Sequence, residues 1–562
     1  MLTSRLKVRL CFLAASAAIA SAASANTQTA WSNPLLRDVP VTAKAFISID
    51  LSGSDKALTT VLKLVEGVSG SSLNKAAAGA LAMLNLPKAA QDAFAKDFDR
   101  RAVAYYDPTA AGGAMQQGAV LVLGLKPGNT MAAALKADTQ HDIDGISYAD
   151  FKDAEAHVEG NTLLLTLSPK NFPGALKPLR GGAHIGAVQL SHLSDSIEPT
   201  AEVIGWMDSD TIMSTSASAV TGAASEVGLT TGKSFGFSLG LHPKGVSLAV
   251  GPLHFSLSGK PLNLLQFRPL PNQFVRTLPG GAYLLTCLAN PWPLVDRMNL
   301  TSKAPDSVRS MIEGLKGSVR GNYVLGLYPT RLNNGSPEGI DVLMELRPNE
   351  GNDPAGSLGK LMGAIKKAFL PGDINVFESF HIDGAEHAYR LNKVVASLMR
   401  AGLKSALGSV QGMGSSDALL REKNLVFAGV GSNVLVATSE PVLRKAVAAL
   451  KYGSNALAYD PKFGELALDG AKPTHFVIAA SLTRSLSFVT KMLTSMGGKD
   501  GSKSVAPGGV PIAMLTGFLG TWPDPLMLRL SIQNSGLSGR LFLPVDFETL
   551  ASFAAMGMKA SR

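Results

Sequence analysis

The chain has 562 residues, 17% of them charged and 46% in the hydrophobic set, with 57 glycines. That balance excludes a disordered chain, which needs low hydrophobicity with high charge, and a collagen-like repeat. Lys and Arg number 52 against 43 acids, a net charge of +9, but the basic residues are scattered with no run of five or six, so no nucleic-acid surface is expected. At about 150 residues per domain, the length suggests roughly two to four domains with sizeable cores.

Arg5, Lys7 and Arg9 precede an apolar stretch from Leu10 that closes on Ala23, Ser24 and Ala25. A positive n-region, a short apolar h-region and an A-x-A-like site make residues 1–25 a predicted secretory signal peptide cut after Ala25, with a periplasmic or secreted product. Cys11 lies inside the apolar stretch and lacks the small-residue context of a lipoprotein signal, so no lipid anchor is expected. Removing the leader leaves Cys287 alone, hence no internal disulfide, and a net charge of about +6. That mild excess leaves a weak preference for anionic membrane surfaces open. No later segment supplies the roughly 18 uninterrupted apolar residues of a membrane-spanning helix.

After an N-terminal extension at 26–38, the chain repeats itself. Ala45-Phe46-Ile47-Ser48-Ile49 matches Ala282-Tyr283-Leu284-Leu285-Thr286, each a strand before helix-like residues, Leu58 to Val68 and Pro293 to Leu300. Val103 to Pro108 matches Val324 to Pro329, and Val120 to Pro127 matches Asp341 to Pro348. Tyr148 to Phe151 parallels Phe377 to Phe380. Gly160 to Ser168 matches Gly431 to Ser439, each a strand ending in a Ser placed to cap a helix, with Pro169 or Pro441 in its first turn. Val203 to Asp208 matches Phe476 to Ser481, and a closing hairpin from Phe235 to Val250 matches Leu526 to Leu543.

The expected fold is therefore α+β: two tandem related domains, 39–258 and 278–548, each a mostly antiparallel sheet with helices on one face. Residues 259–277 read as a linker and 549–562 as a C-terminal tail. The second domain carries an insertion at 391–423, in which Leu391, Val394, Val395, Leu398, Leu403 and Leu407 follow helical spacing with Lys393, Arg400 and Lys404 among them. It reads as a basic amphipathic helix packed on its own domain, with peripheral membrane contact through 391–407 as the other reading. Gly/Ser-rich stretches at 405–416 and 495–509 read as surface loops.

Gly236-Phe237-Ser238-Leu239-Gly240 satisfies G-x-S-x-G, but Ser238 lies in an alternating strand that runs into another strand, whereas a nucleophile elbow needs a helix after the Ser. Gly228 to Ser234 has one residue too few between its glycines for a phosphate-binding loop and precedes a strand instead of a helix. Ser72 with Lys75, and Ser357 with Lys360, have the S-x-x-K spacing but no K-T-G partner. The strongest polar cluster is His381, Asp383, Glu386 and His387, echoed by Asp153, Glu155 and His157. Imidazoles and carboxylates suit zinc or a similar cation. Asp383-Gly384 is also a hairpin turn signal, which would send neighbouring side chains to alternating faces, so the metal question stays open and no catalytic or cofactor-binding residue is assigned. Cys287 reads as a small apolar core residue on a buried strand.

Leu278-Pro279-Gly280-Gly281-Ala282-Tyr283 and Val434 to Leu443, in this twice-repeated order of elements, resemble uncharacterised families of secreted bacterial proteins made of domains of unknown function. The resemblance implies an envelope setting and a tandem α+β fold, and supplies no site residues. The expected function is a non-enzymatic binding or scaffold module of the cell envelope with an envelope partner. The alternatives are a carrier of a lipid or other apolar ligand between sheet and apolar helices such as Ala76 to Leu86 and Leu486 to Met496, and a divergent hydrolase or metalloenzyme that would need Ser238, His381, Asp383 or Glu386 to converge with distant residues.

Overall fold

A computed structural model of the chain describes residues 33–550 with interruptions, the longest at 209–233, 293–308, 398–423 and 486–524. The leader, the two Gly/Ser-rich stretches and most of the C-terminal tail lie outside the described residues. The protein is mixed α+β, and its chain divides into two compact units, Met1–Leu262 with Ser535–Arg562, and Asn263–Asn534. The first unit thus runs to Leu262, past the expected boundary at 258. The first unit also takes residues 535–562 from the far end of the chain.

In the first unit the strands are β1 (Ala45–Asp50), β2 (Phe98–Tyr106), β3 (Ala119–Leu125), β4 (Gln140–Ile143), β5 (Ile146–Phe151), β6 (Ala154–Glu159), β7 (Thr162–Thr166), β8 (Val203–Asp208), β9 (Ser234–His242) and β10 (Gly245–Leu253), then a short hairpin of β11 (Ser256–Leu257) and β12 (Lys260–Pro261). Hydrogen bonding gives the order β4-β5-β6-β7-β3-β2-β1-β8-β9-β10, antiparallel at every step. Helices α1 (Lys56–Ser69), α2 (Leu73–Ala82), α3 (Lys88–Asp97) and α4 (Met131–Ala134) follow β1 and β3, and α5 (Phe172–Leu179) follows β7.

The expectation of helices on one face is corrected here. Ile49, Ala102, Leu123, Leu163 and Leu165 pack with α1 to α4, while Phe46, Val103, Val122, Leu164 and Ile204 pack on the opposite face with α5 and the turn at Pro34–Asp38. Covering both faces requires strands that are apolar on successive residues, and β7, buried at all five positions through Leu163-Leu164-Leu165, is such a strand.

The second unit holds β13 (Leu284–Leu288), β14 (Gly321–Thr330), β15 (Gly339–Pro348), β16 (Phe377–Ser379), β17 (His387–Leu391), β18 (Val426–Val430), β19 (Asn433–Ala437), β20 (Phe476–Ala480) and β21 (Leu526–Gln533), with α6 (Pro354–Phe369) and α7 (Glu440–Tyr452). Its order is β16-β17-β18-β19-β15-β14-β13-β20-β21, again antiparallel. Here too both faces are covered: Leu285, Cys287, Val324 and Leu435 pack with α7, and Phe427, Val434 and Val436 with α6. The last strand, β22 (Gly536–Pro544), pairs with β10 of the first unit, from Gly245↔Pro544 to Leu253↔Leu537 with a bulge after Val250.

The two sheets can be laid on each other through the tight turns at Gly160 and Gly431, both left-handed with φ of 58° and 53°, a conformation that favours glycine. The row Leu164, Val122, Val103, Ser48, Ile204, Ser238 then falls on Leu435, Glu345, Val324, Cys287, Val477, Arg529. This register moves two of the sequence matches. Ala45 falls on Leu284 where the sequence put Ala282, and Val120 on Leu343 where it put Asp341. A two-residue slip keeps every side chain on its own face, so the hydrophobic pattern cannot detect it. By strand order β5 corresponds to β17, and Phe377 to Ser379 corresponds to β4.

Ser168 and Ser439 occupy N-cap positions as expected, yet neither hydroxyl makes a capping hydrogen bond. Leu391 ends β17, so the inserted helix starts later than its spacing suggests: residues 393–397 are helical, and the Asn392 side chain caps them by accepting from the Val395 N–H at 2.9 Å. Val395 and Ala396 point into the core beside α6, and Val394 is exposed. Leu398, Leu403 and Leu407 lie outside the described residues.

Candidate functional site

Ser238 sits in the middle of β9 with no exposed surface, and its Oγ accepts the backbone N–H of Glu198 at 2.8 Å. A buried hydroxyl spent on a backbone donor cannot reach a substrate. The bond sets Glu198, which precedes β8, beside β9 and β10. There Glu198 Oε1 lies 3.1 Å from His242 Nε2, Glu198 Oε2 accepts a short hydrogen bond from Ser247 Oγ, and His242 Nε2 is 3.1 Å from Ser247 Oγ. Four residues further on in sequence, Glu202 Oε2 accepts the Leu241 N–H at 3.2 Å.

The residue types are those of a Ser-His-acid hydrolase, but the connectivity is not. In such a relay the imidazole bridges, one ring nitrogen on the acid and the other on the serine. Here both partners meet Nε2, and the Ser247 proton goes to the carboxylate. Burial pushes the Glu198 carboxyl up, but hydrogen bonds from His242 and Ser247 outweigh it and hold the group at about 2. The hydrogen bond to Glu198 raises His242 against the opposing effect of burial. Burial, with Glu198 nearby, lifts Glu202 to about 7 although it accepts backbone hydrogen bonds. In this arrangement the serine proton is directed to the carboxylate and not to the imidazole. Glu198 and Glu202 lie 40 or more residues upstream of His242 and Ser247, and no local motif marks them.

His381, Asp383, Glu386 and His387 are all exposed around a turn at Asp383-Gly384, with Gly384 at φ +88°. Glu386 Oε1 accepts the Gly431 N–H at 3.2 Å, and Arg444 donates to the His381 carbonyl at 3.0 Å. These contacts join the turn to the β18–β19 hairpin and to α7. Among the described residues no group of three or more His, Cys, Asp or Glu could hold a metal ion. In the first unit His157 lies between the Ser147 carbonyl and Glu159, and burial with Asp150 opposite lifts Glu155 to about 7. Asp153 and the loop Gly228 to Lys233 lie outside the described residues. Ser72 accepts the Lys75 N–H as the N-cap of α2, a structural reason for that S-x-x-K spacing.

Cys287 is fully buried on β13, and burial pushes its thiol up to about 12. The nearby Glu345 is also buried and raised by desolvation, with Arg347 Nε 2.8 Å from its Oε1.

The surface feature the sequence did not flag lies in the second unit. The turn Leu278 to Ala282 runs beside 455–460: Gly280 N–H donates to the Asn455 carbonyl at 2.7 Å, Leu457 N–H to the Leu278 carbonyl at 2.6 Å, and Gly281 N–H to Asp460 Oδ2 at 2.7 Å. Asp460 in turn receives both guanidinium nitrogens of Arg484 at 2.8 Å, and Arg484 lies over the Phe463 ring. This frame borders a cleft of about 50 Å³ lined by Pro279, Gly280, Gly281, Tyr328, Pro329, Val442 and Lys445. Pockets for small ligands run to about 300 Å³ and more, so this cleft can seat one side chain and not a lipid. Tyr459, next to Asp460, is 80% exposed, and Tyr452 at the end of α7 is 56% exposed.

No family model and no curated protein matches the chain. Among solved structures, crystal form III of TP0453 is similar at 10% identity over 40% of this chain and 82% of that one, with a TM-score of 0.25.

Of the apolar helices suggested as cavity walls, α2 buries Leu73, Ala78 and Leu81 in the core, and Leu486 to Met496 lies outside the described residues. Among the described residues no helix is long and apolar enough to cross a membrane.

Proposed function

We propose that the chain is an exported, non-enzymatic protein of the cell envelope whose two related α+β units act as a binding or scaffold module. The observation that carries this reading lies on the second unit: a turn fixed by the Asp460–Arg484 pair, a side-chain-sized cleft bordered by that turn, and the exposed Tyr459 next to Asp460. Tyrosine offers a large, amphipathic contact area with few rotors to freeze, and it is enriched where proteins meet. A rigid frame lowers the ordering cost of association. The shared strand order of the two units supports their origin as related copies, and the leader-like first 25 residues support export.

The test is photo-crosslinking in the native host, with a photoreactive amino acid at Tyr459 and, as control, at the exposed Val41 of the first unit. The expected result is one protein-sized crosslinked species at 459 and none at 41. Crosslinking only to lipid, or equal patterns from both positions, would overturn the reading.

A further inference from the structure

The cleft on the second unit is built from the turn Pro279-Gly280-Gly281, the end of β14 at Tyr328 and Pro329, and the first half of α7 at Val442 and Lys445. Most of its polar groups are spent within the protein. Tyr328 Oη donates to the Pro279 carbonyl at 3.1 Å, and the Gly280 and Gly281 N–H groups go to Asn455 and Asp460. The two prolines have no N–H to offer. On α7, Val442 is 3% exposed, and Lys445, one turn later on the same side of the helix, is exposed. A lysine placed so walls an apolar site with its methylene stem and keeps its ammonium in water.

The charges around the cleft do not balance. Arg444, next to Lys445, is taken up by Glu440 at 2.6 Å and by the His381 carbonyl. Asp460, bonded to the turn, is matched by both terminal nitrogens of Arg484. Lys445 has no ion pair or hydrogen bond among the described residues. The first turn of α7 adds the positive end of a helix dipole at Val442. An apolar recess of side-chain size thus carries an uncompensated cation at its edge.

We propose that the cleft receives an exposed segment of a partner protein in which an apolar side chain sits beside an acidic one. The apolar group fills the recess, and the carboxylate pairs with Lys445. The inference rests on the reading of this unit as a partner-holding module and adds the chemistry of the partner. The recess is already formed and framed by Asp460 and Arg484, so the apolar contact supplies affinity at little ordering cost. Lys445 supplies selection, because a basic segment would meet it with like charge. Gly281, at φ +90° with no atom within 4 Å of the position a Cβ would take, leaves the approach to the turn open. A lipid headgroup would meet Lys445 and leave the recess unfilled, and a lipid chain exceeds it.

The test pans a phage-displayed library of random dodecapeptides on the full-length protein and on Lys445→Glu, an exposed change that should leave far-UV circular dichroism unaltered. The wild type is expected to enrich peptides with an apolar residue next to Asp or Glu, and Lys445→Glu to lose that acidic preference. By fluorescence anisotropy, an enriched peptide should bind about tenfold more weakly to Lys445→Glu and about threefold more weakly to Lys445→Gln, as for an exposed ion pair reversed or removed. Lys445→Arg should stay near wild type, and the differences should close at high salt. Replacing the peptide's apolar residue by Ser should weaken binding at least about tenfold. No enrichment, enrichment without acidic residues, or equal binding to wild type and Lys445→Glu would overturn the proposal. Retention on phosphatidylglycerol vesicles, or a dimer, that is lost in Lys445→Glu would assign the cation to a lipid surface or a second copy, and would overturn it equally. Crosslinking at Tyr459 decides the broader reading separately: a crosslinked partner with no acidic preference in the library would sink this inference alone.

Discussion

Asp460 shows what a single side chain does in the second unit. It is almost fully buried, receives both terminal guanidinium nitrogens of Arg484 and the Gly281 N–H, and so ties 278–282, 455–460 and the helical residues 482–485 after β20 together. Removing one partner of a buried pair strands the other; because Arg484 retains some solvent, Asp460→Ala should cost about 3 kcal/mol in urea denaturation, at the low end for such pairs. Cys287 gives the opposite kind of prediction. With its thiol buried and raised to about 12, the native protein should resist a thiol reagent at pH 8 and become labelled only on unfolding; rapid native labelling would contradict the packing. The apolar reading of Cys287 was available in its strand, since Leu284, Leu285 and Leu288 surround it. The role of His242 was not, because its partners Glu198 and Glu202 lie 40 or more residues upstream and meet it only through the sheet.

At the scale of elements, the alternation of strands and helices was legible, and the faces they cover were misread. Consecutive buried residues in β7, β18 and β19 carried the signal for a sheet covered on both sides. The exact register was not recoverable from pattern alone, since a two-residue slip between β1 and β13 leaves all faces unchanged. Packing on both faces has a measurable consequence. Leu443 of α7 has no exposed surface, so Leu443→Ala should destabilise the second unit by about 3 kcal/mol, the cost of lost transfer plus a cavity. Val394, beside the buried Val395 and Ala396, is 67% exposed, and Val394→Ser should fall within about 0.5 kcal/mol of wild type. Equal losses from the two would contradict the assigned faces.

For the molecule as a whole, stability should decline on the alkaline side. Burial raises Asp38 to about 6, and Glu155 and Glu202 to about 7, above the ordinary 3.8 and 4.5. A carboxyl raised in the folded state contributes stability that is complete below its unfolded pKa and is lost as pH rises through the folded one. All three lie in the first unit, so its melting temperature should fall between about pH 5 and pH 8, and a rise over that range would refute the burial of these groups. The return of β22 to the first unit was not legible either. Its alternation reads as a strand anywhere, and only the pairing with β10 shows where it belongs.

As proposed, the Tyr459 face of the second unit holds a protein partner. The mass of the protein, isolated gently from its own cells, is measured under native conditions and again after denaturation. The expected difference is the size of a polypeptide, either a partner or a second copy, and it disappears in Tyr459→Ser. A bare chain, or a stoichiometric loss the size of a lipid or a metal ion, would contradict it.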